Sequence, residues 1–254
     1  MMILLPPSEG KTQATGSQKL DLSSLSFPEL TKDREKVLTT LIKVSQQKNS
    51  LEVLGVGKSL ASEIERNSHL LNEPVAPAHQ IYTGVLYDAL DFNSLTPAEK
   101  KKATEHIFIQ SALWGLISLA DAIPAYRLSM GTKLGRLGNL STWWKKELTQ
   151  KIKGIGHDEL FIDCRSGTYQ KAWPTPPQQT VLIKPFEMVK GKKKVITHMA
   201  KQARGLVARE LIESRAKLES IEDVAKVLRK KWNVEVIEPH GTQAWVFEIV
   251  AKSS

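Results

Sequence analysis

The chain has 254 residues, 41% hydrophobic and 25% charged, an ordinary balance for a globular protein with a substantial core. Its 36 Lys and Arg against 27 Asp and Glu leave a formal charge of +9, which favours polyanionic partners such as nucleic acid. A single cysteine, Cys164, excludes an intramolecular disulfide and a cysteine metal cluster, and no apolar run is long enough for a signal peptide or a membrane span, so a cytoplasmic protein is expected.

In chain order, Met2-Ile3-Leu4-Leu5 predicts a short buried strand stopped by Pro6-Pro7. The loop that follows, Ser8-Glu9-Gly10-Lys11-Thr12, ends like a Walker A motif. The motif's first glycine would fall at Leu5, and the prolines remove amides a phosphate loop needs, so a nucleotide-triphosphatase reading is rejected. Residues 13–31 are rich in Ser, Thr and Gln and predict a surface loop.

Val37, Leu38, Leu41, Ile42 and Val44 share one helix face, and a second helical pattern begins with Leu60, Ala61 and Ile64. Between them Gly55-Val56-Gly57-Lys58-Ser59 predicts a tight turn whose glycines take positive φ. Amides left unpaired in such a turn seat phosphate oxygens, with Lys58 adding a cation. The pattern resembles a helix-hairpin-helix spanning about residues 34–71, with Ala61 as the small residue that lets the two helices approach. The plainer alternative is a helix C-cap followed by a new helix.

Beyond it, Pro74 and Pro77 break regular structure, and Tyr82-Thr83-Gly84-Val85-Leu86-Tyr87 mixes aromatic and apolar residues. Thr96-Pro97-Ala98-Glu99 is a helix start with a capping box. His106 to Ser111 predicts a central strand, Trp143 to Ile152 a helix, and Glu159 to Cys164 another strand. Gly154-Ile155-Gly156 copies the glycine spacing of the hairpin, but acidic residues follow, so a helix C-cap is expected there. Val181 to Lys184 predicts a strand, and Glu187 to Ile196 a hairpin turning at Gly191 with Lys190, Lys192, Lys193 and Lys194 at its tip. In the predicted helix 198–215, His198, Lys201, Gly205 and Arg209 fall within about 80° of one another, with Arg204 beside Lys201. A glycine amid cations suits either a phosphate backbone or tight packing of two elements. A helix over 220–232 and strands over 234–237 and 244–250 complete the chain, with no repeat and no dividing linker.

For chemistry, the six histidines show no metal-ligand pairing, so no metal and no cofactor are expected. Cys164 reads as a buried strand cysteine. Ser8, Glu9 and Lys11 put a hydroxyl, a carboxylate and an amine on one loop, suited to phosphate binding or to acid–base work, with Asp163 as a further candidate.

Taken together, Leu5 to Thr12, Tyr82 to Tyr87, Ser111-Ala112-Leu113-Trp114-Gly115, Tyr126-Arg127-Leu128-Ser129-Met130, Lys184-Pro185 and Ala200 to Gly205 with Arg209 resemble the signature blocks of the peroxide stress protein YaaA family. The resemblance covers essentially the whole chain. It implies a single α+β domain of unusual topology, a mixed β-sheet surrounded by helices with a helix-hairpin-helix element and a positively charged cleft. It further implies DNA binding in a hydrogen-peroxide stress response that limits iron-dependent damage. On that basis Gly55, Val56, Gly57, Lys58 and Ser59, with Lys11, Arg127, Lys201, Arg204 and Arg209 along the cleft, are expected to hold duplex or distorted DNA with little sequence specificity. The alternative is an enzyme acting on a nucleobase, nucleotide or damaged DNA, with a small ligand in the cleft. No membrane partner is expected, and a monomer is.

Overall fold

The computed structural model describes residues 1–152, 159–189, 192–195 and 197–252. A seven-stranded mixed sheet organises them. Met2–Leu5 lies inside it, paired in parallel with Ile107–Ser111 on one side and Phe161–Asp163 on the other. Thr180–Pro185 and Trp245–Ala251 extend the parallel run. An antiparallel strand closes each edge, Gly115–Ser118 beside Ile107–Ser111 and Trp232–Ile237 beside Trp245–Ala251. Parallel strands covered on both faces read as unbroken apolar runs, which is why Met2-Ile3-Leu4-Leu5, each at most 5% exposed, sits in the interior of the sheet.

The order of the strands creates a crevice. From Met2–Leu5 the chain next joins the sheet at Ile107–Ser111, to one side; from Phe161–Asp163 it joins at Thr180–Pro185, to the other. Connections that diverge from two neighbouring strands leave a gap beyond their carboxyl ends, where open α/β sheets hold ligands. The loop Pro6–Thr12 leaves the first of these ends and Cys164–Ser166 the second.

Helices surround the sheet, and the expected α+β single domain is the observed one. Thr96 and Glu99 form the capping box read in the sequence, with Glu99 Oε2 accepting from the Thr96 amide at 2.8 Å and Thr96 Oγ1 accepting from the Glu99 amide at 3.4 Å. The long helix Thr197–Glu213 packs on Thr180–Pro185 and on the short helix Val85–Leu90. Gly205 makes the second contact possible, because a Cβ there would stand 2.1 Å from the Leu86 carbonyl oxygen. Of the two uses open for that glycine, the fold takes the packing one. Elsewhere the buried Arg34 ties the first long helix to the edge of the sheet, its Nε donating to the Trp114 carbonyl at 2.9 Å and Nη2 to that of Leu116 at 2.8 Å.

The glycine turn differs from its expectation in its entering helix, in the place of Ala61 and in the conformation of Gly57. The helix carrying Val37 to Val44 spans Thr31–Ser45 and ends well before the turn, and a separate five-residue helix, Ser50–Leu54, enters it. Helix Ala61–Asn67 leaves it through a 3-10 turn over Lys58–Leu60. Residues 46–49 break the long helix because Gln46-Gln47-Lys48-Asn49 has no apolar residue to hold the stripe against the core. Ala61 is exposed, so it is not the contact point between two helices. The pair Gly154 and Gly156, and Lys190 and Gly191 of the basic hairpin, lie outside the described residues; Glu187–Val189 and Lys192–Lys194 do pair antiparallel.

Candidate functional site

The loop after the first strand is held by side-chain and backbone groups of the segment Ile81–Tyr87. The Tyr87 hydroxyl donates to the Pro6 carbonyl at 2.8 Å, and the Thr83 amide donates to Ser8 Oγ at 3.0 Å. Ser8 Oγ donates in turn to the Gly10 carbonyl at 2.5 Å, and the Thr12 amide to that of Ile81 at 2.9 Å. Below the loop the Tyr82 and Tyr126 hydroxyls meet at 2.9 Å, and Tyr126 reaches Ser111 Oγ at 2.6 Å. Ser111 Oγ also accepts from the amides of Leu113 and Trp114. Four blocks separated by tens of residues thus close into one network around residues 5–12. Burial pushes the Tyr82, Tyr87 and Tyr126 phenols well above their usual range, so they act as neutral hydrogen-bonding groups.

Lys11 is the unusual cation of this network. Its ammonium donates to the Ser8 carbonyl at 2.8 Å and sits 4.3 Å from the centre of the Tyr126 ring. Burial lowers its pKa from 10.5 to about 7; Arg127 pushes the same way, while Glu9 and Glu63 oppose. Between pH 7 and 10.5 the folded chain therefore binds fewer protons at this site than the unfolded chain, and its stability rises with pH there. The cost of the buried charge is complete below pH 7 and absent above 10.5. Replacing the amine in Lys11→Met should stabilise the fold by roughly 2–4 kcal/mol at about pH 6 and by nothing near pH 11, as urea unfolding at the two pH values would record. A gain independent of pH would show that the amine is solvated.

Arg127 links this loop to the glycine turn. It pairs with the Glu9 carboxylate at 2.7 Å and donates to the Glu9 carbonyl at 3.1 Å, and Glu63 lies 3.7 Å away. Asn67, one helical turn after Glu63, exchanges two bonds with the Arg127 backbone, its Nδ2 donating at 2.7 Å and its Oδ1 accepting at 2.9 Å. The helix that leaves the turn is thereby docked at the loop. Neither Glu63 nor Asn67 was singled out from the sequence; their i, i+4 spacing on one helix face was the available signal.

The turn itself lies on the surface. Gly55 takes φ +66°, as its role demands, whereas Gly57 is in ordinary extended backbone. A Cβ at Gly57 would meet nothing nearer than Ser59 Oγ at 3.9 Å, so the fold has no use of its own for glycine there. Gly57, Lys58 and Ser59 are exposed, and among the described residues no acceptor takes their amides. Val56 is half-buried and its amide is already bonded to the Leu51 carbonyl at 2.9 Å.

A cavity of about 340 Å³ opens at the divergence of the two central strands, with Ser8, Glu9, Tyr87, Tyr169, Lys201 and Arg204 in its walls. Lys201 and Arg204 have no carboxylate partner among the described residues, and Arg204 Nε is buried without any hydrogen-bond partner. Arg209, five residues beyond Arg204, stands apart. It is paired with Glu213 at 2.7 Å and donates to the Leu90 and Asp91 carbonyls, securing the long helix to Val85–Leu90. Asp163 is also absent from the cavity wall. It is buried and takes the Arg165 guanidinium bidentately, at 2.9 Å from Nε and 2.8 Å from Nη2. Cys164 is buried and its thiol is pushed up to about 12 by that burial, so it does not form a thiolate near neutral pH. No group of three His, Cys, Asp or Glu side chains able to hold a metal assembles among the described residues.

Residues 1–236 match the family model described as peroxide stress protein YaaA. The chain belongs to that family. It is 35% identical over 255 residues to a UPF0246 protein of Streptomyces coelicolor, covering 98% of each chain. A UPF0246 protein of Corynebacterium efficiens is 42% identical over 233 residues, 90% of this chain and 92% of its own. One from Corynebacterium glutamicum is 40% identical over 231 residues, 89% and 91% respectively. Of the blocks that carry the family resemblance, Leu5 to Thr12, Tyr82 to Tyr87, Ser111 to Gly115 and Tyr126 to Met130 meet around the loop and Ala200 to Gly205 supplies the cations of its cavity, whereas Pro185 lies in the wall of another cavity. No helix of the described residues is long and apolar enough to cross a membrane.

Proposed function

We propose that this family member binds DNA through its phosphate backbone and thereby limits iron-dependent damage during peroxide stress. The observation that carries this is the exposed turn at Gly57-Lys58-Ser59, which offers three free amides and a cation. A glycine that the fold itself does not need leaves room for a partner's backbone to come close. Through Glu63, Asn67 and Arg127 the same turn is fastened to the mouth of the basic cleft, so one bound strand can touch both. Few groups here are placed to read base edges, and the binding is weakly sequence-specific.

The test is an anisotropy titration of a labelled duplex. With about four phosphate contacts, affinity should fall roughly 10²-fold as salt rises from about 50 to 200 mM. Gly57→Asp and Lys201→Glu should each weaken binding by about 10-fold or more. No binding at low salt, or binding indifferent to salt, would overturn the reading. A second reading, an enzyme acting on a nucleobase, nucleotide or damaged DNA, is favoured by the convergence of Ser8, Glu9, Lys201 and Arg204 on one cavity. It predicts that Glu9→Gln abolishes a measurable cellular phenotype while DNA binding persists.

A further inference from the structure

We infer that the cavity at the strand divergence is a site for one nucleotide unit, with its phosphate held by Lys201 and Arg204 and its ring lodged against Tyr169 and the Pro6-Pro7 wall. This deepens the nucleic-acid reading above and rests on it.

Four observations converge on that class of ligand. The cavity occupies the gap beyond the carboxyl ends of Met2–Leu5 and Phe161–Asp163, the position at which open α/β sheets bind ligands. Its volume of about 340 Å³ lies at the small end of ligand pockets, room for one nucleotide and not for two. The walls are divided by chemistry: Pro6, Pro7, Val85, Leu86, Tyr87 and Tyr169 give flat and apolar surface, and the long helix gives two cations one turn apart. Arg204 Nε is buried and lacks an acceptor, although a desolvated guanidinium N–H ordinarily has one. A phosphate beside the Arg204 guanidinium and the Lys201 ammonium supplies charge-assisted acceptors in the wall and offsets both charges. Glu9, the acidic group in the wall, is already paired with Arg127 at 2.7 Å, so its charge does not stand alone against an entering phosphate.

A larger cavity of about 430 Å³, beside Met188 and Met199 near Trp232, has no cation in its wall among the described residues and so lacks the feature that selects a nucleotide there. In the divergence cavity, Ser8, Thr83, Ser166 and Tyr169 bring hydroxyls to the wall for a ring edge or a sugar. The nucleotide can come from solution or from an unpaired position in a strand, since both present the same phosphate and ring; a strand held at the Gly57 turn would deliver the second.

The experiment uses the intact protein. Calorimetric titrations at low ionic strength would compare dAMP, deoxyadenosine and inorganic phosphate, and a duplex bearing one bulged 2-aminopurine would be followed by fluorescence. dAMP is expected to bind at least about 10-fold more tightly than either phosphate or deoxyadenosine, because only it engages both halves of the cavity. Arg204→Ala should weaken dAMP by about 10-fold or more, and Lys201→Ala, at an exposed position where folding is not at stake, should do so in the same direction. Gly57→Asp should leave dAMP affinity unchanged while reducing duplex binding. A response to dAMP alone identifies a free nucleotide as the ligand, a response of the bulge alone an extrahelical one, and either supports the site. If dAMP binds no better than phosphate and the bulge gives no signal, the inference falls; duplex binding that survives in that case leaves the DNA reading intact. If Lys201→Ala and Arg204→Ala both bind dAMP as the parent does, the cations have been wrongly assigned and the inference falls as well.

Discussion

Gly205→Ala is expected to lower the stability of the fold by roughly 3 kcal/mol or more, despite a gain of about 1 kcal/mol in helix propensity. The added methyl would stand 2.1 Å from the Leu86 carbonyl oxygen and 2.9 Å from Ala89 Cβ. The first obstacle is backbone, so no rotamer change relieves it. The helices Thr197–Glu213 and Val85–Leu90 must separate, and the Arg209 bonds to the Leu90 and Asp91 carbonyls, 3.0 and 2.9 Å, separate with them. Urea unfolding gives the loss directly as a lower midpoint at unchanged slope. The same substitution distinguishes the two uses of that glycine weighed from the sequence. If Gly205 served a phosphate contact, the variant would keep its stability and lose only affinity. Because Leu86 and Arg204 both line the cavity, ligand binding is expected to weaken in parallel with stability rather than in its place.

Asp163→Ala should cost about 3–5 kcal/mol, the usual consequence of removing one member of a buried ion pair. The Asp163 carboxylate takes the Arg165 amide, Nε and Nη2, all at 2.8–2.9 Å, and both side chains are almost wholly enclosed. Arg165 Nη1 also donates to Gln110 Oε1 and to the Trp173 carbonyl, so the pair joins two central strands to the segment that carries Tyr169. With the carboxylate gone, a guanidinium remains in the interior with two of its bonds missing. The double variant Asp163→Ala, Arg165→Met should recover part of the loss, since it removes the stranded charge. Thermal unfolding of the three variants tests this. Full stability of Asp163→Ala alone, with function lost, would return Asp163 to the list of reacting groups. The geometry gives it a structural task instead: it holds the wall of the cavity from behind.

Local patterns carried much of this architecture. The apolar run Met2–Leu5, the capping box at Thr96 and Glu99, and the closing pair of strands are set by periodicity and capping, which act over a few residues, and each appears where those rules put it. The turn at Gly55 was legible for the same reason, a left-handed φ that glycine adopts without strain. The length of its entering helix was not, because the break over residues 46–49 and the start at Ser50 depend on which residues find core to pack against.

The site divides along the same line. By itself the amino-acid sequence determined the loop Ser8 to Lys11, the cationic helix with Lys201 and Arg204 and the glycine turn, each contiguous in the chain, and the family to which the chain belongs. Only the tertiary structure decided which of these cations stand together. It put Lys201 and Arg204 in a cavity with Ser8 and Glu9, turned Arg209 to the Leu90 and Asp91 carbonyls, committed Asp163 to Arg165, and packed the half-buried Lys11 against Tyr126, where its pKa is lowered to about 7. The physical reason is that desolvation and ion pairing depend on distances between segments far apart in sequence, and those distances are set by strand order, which no local pattern encodes.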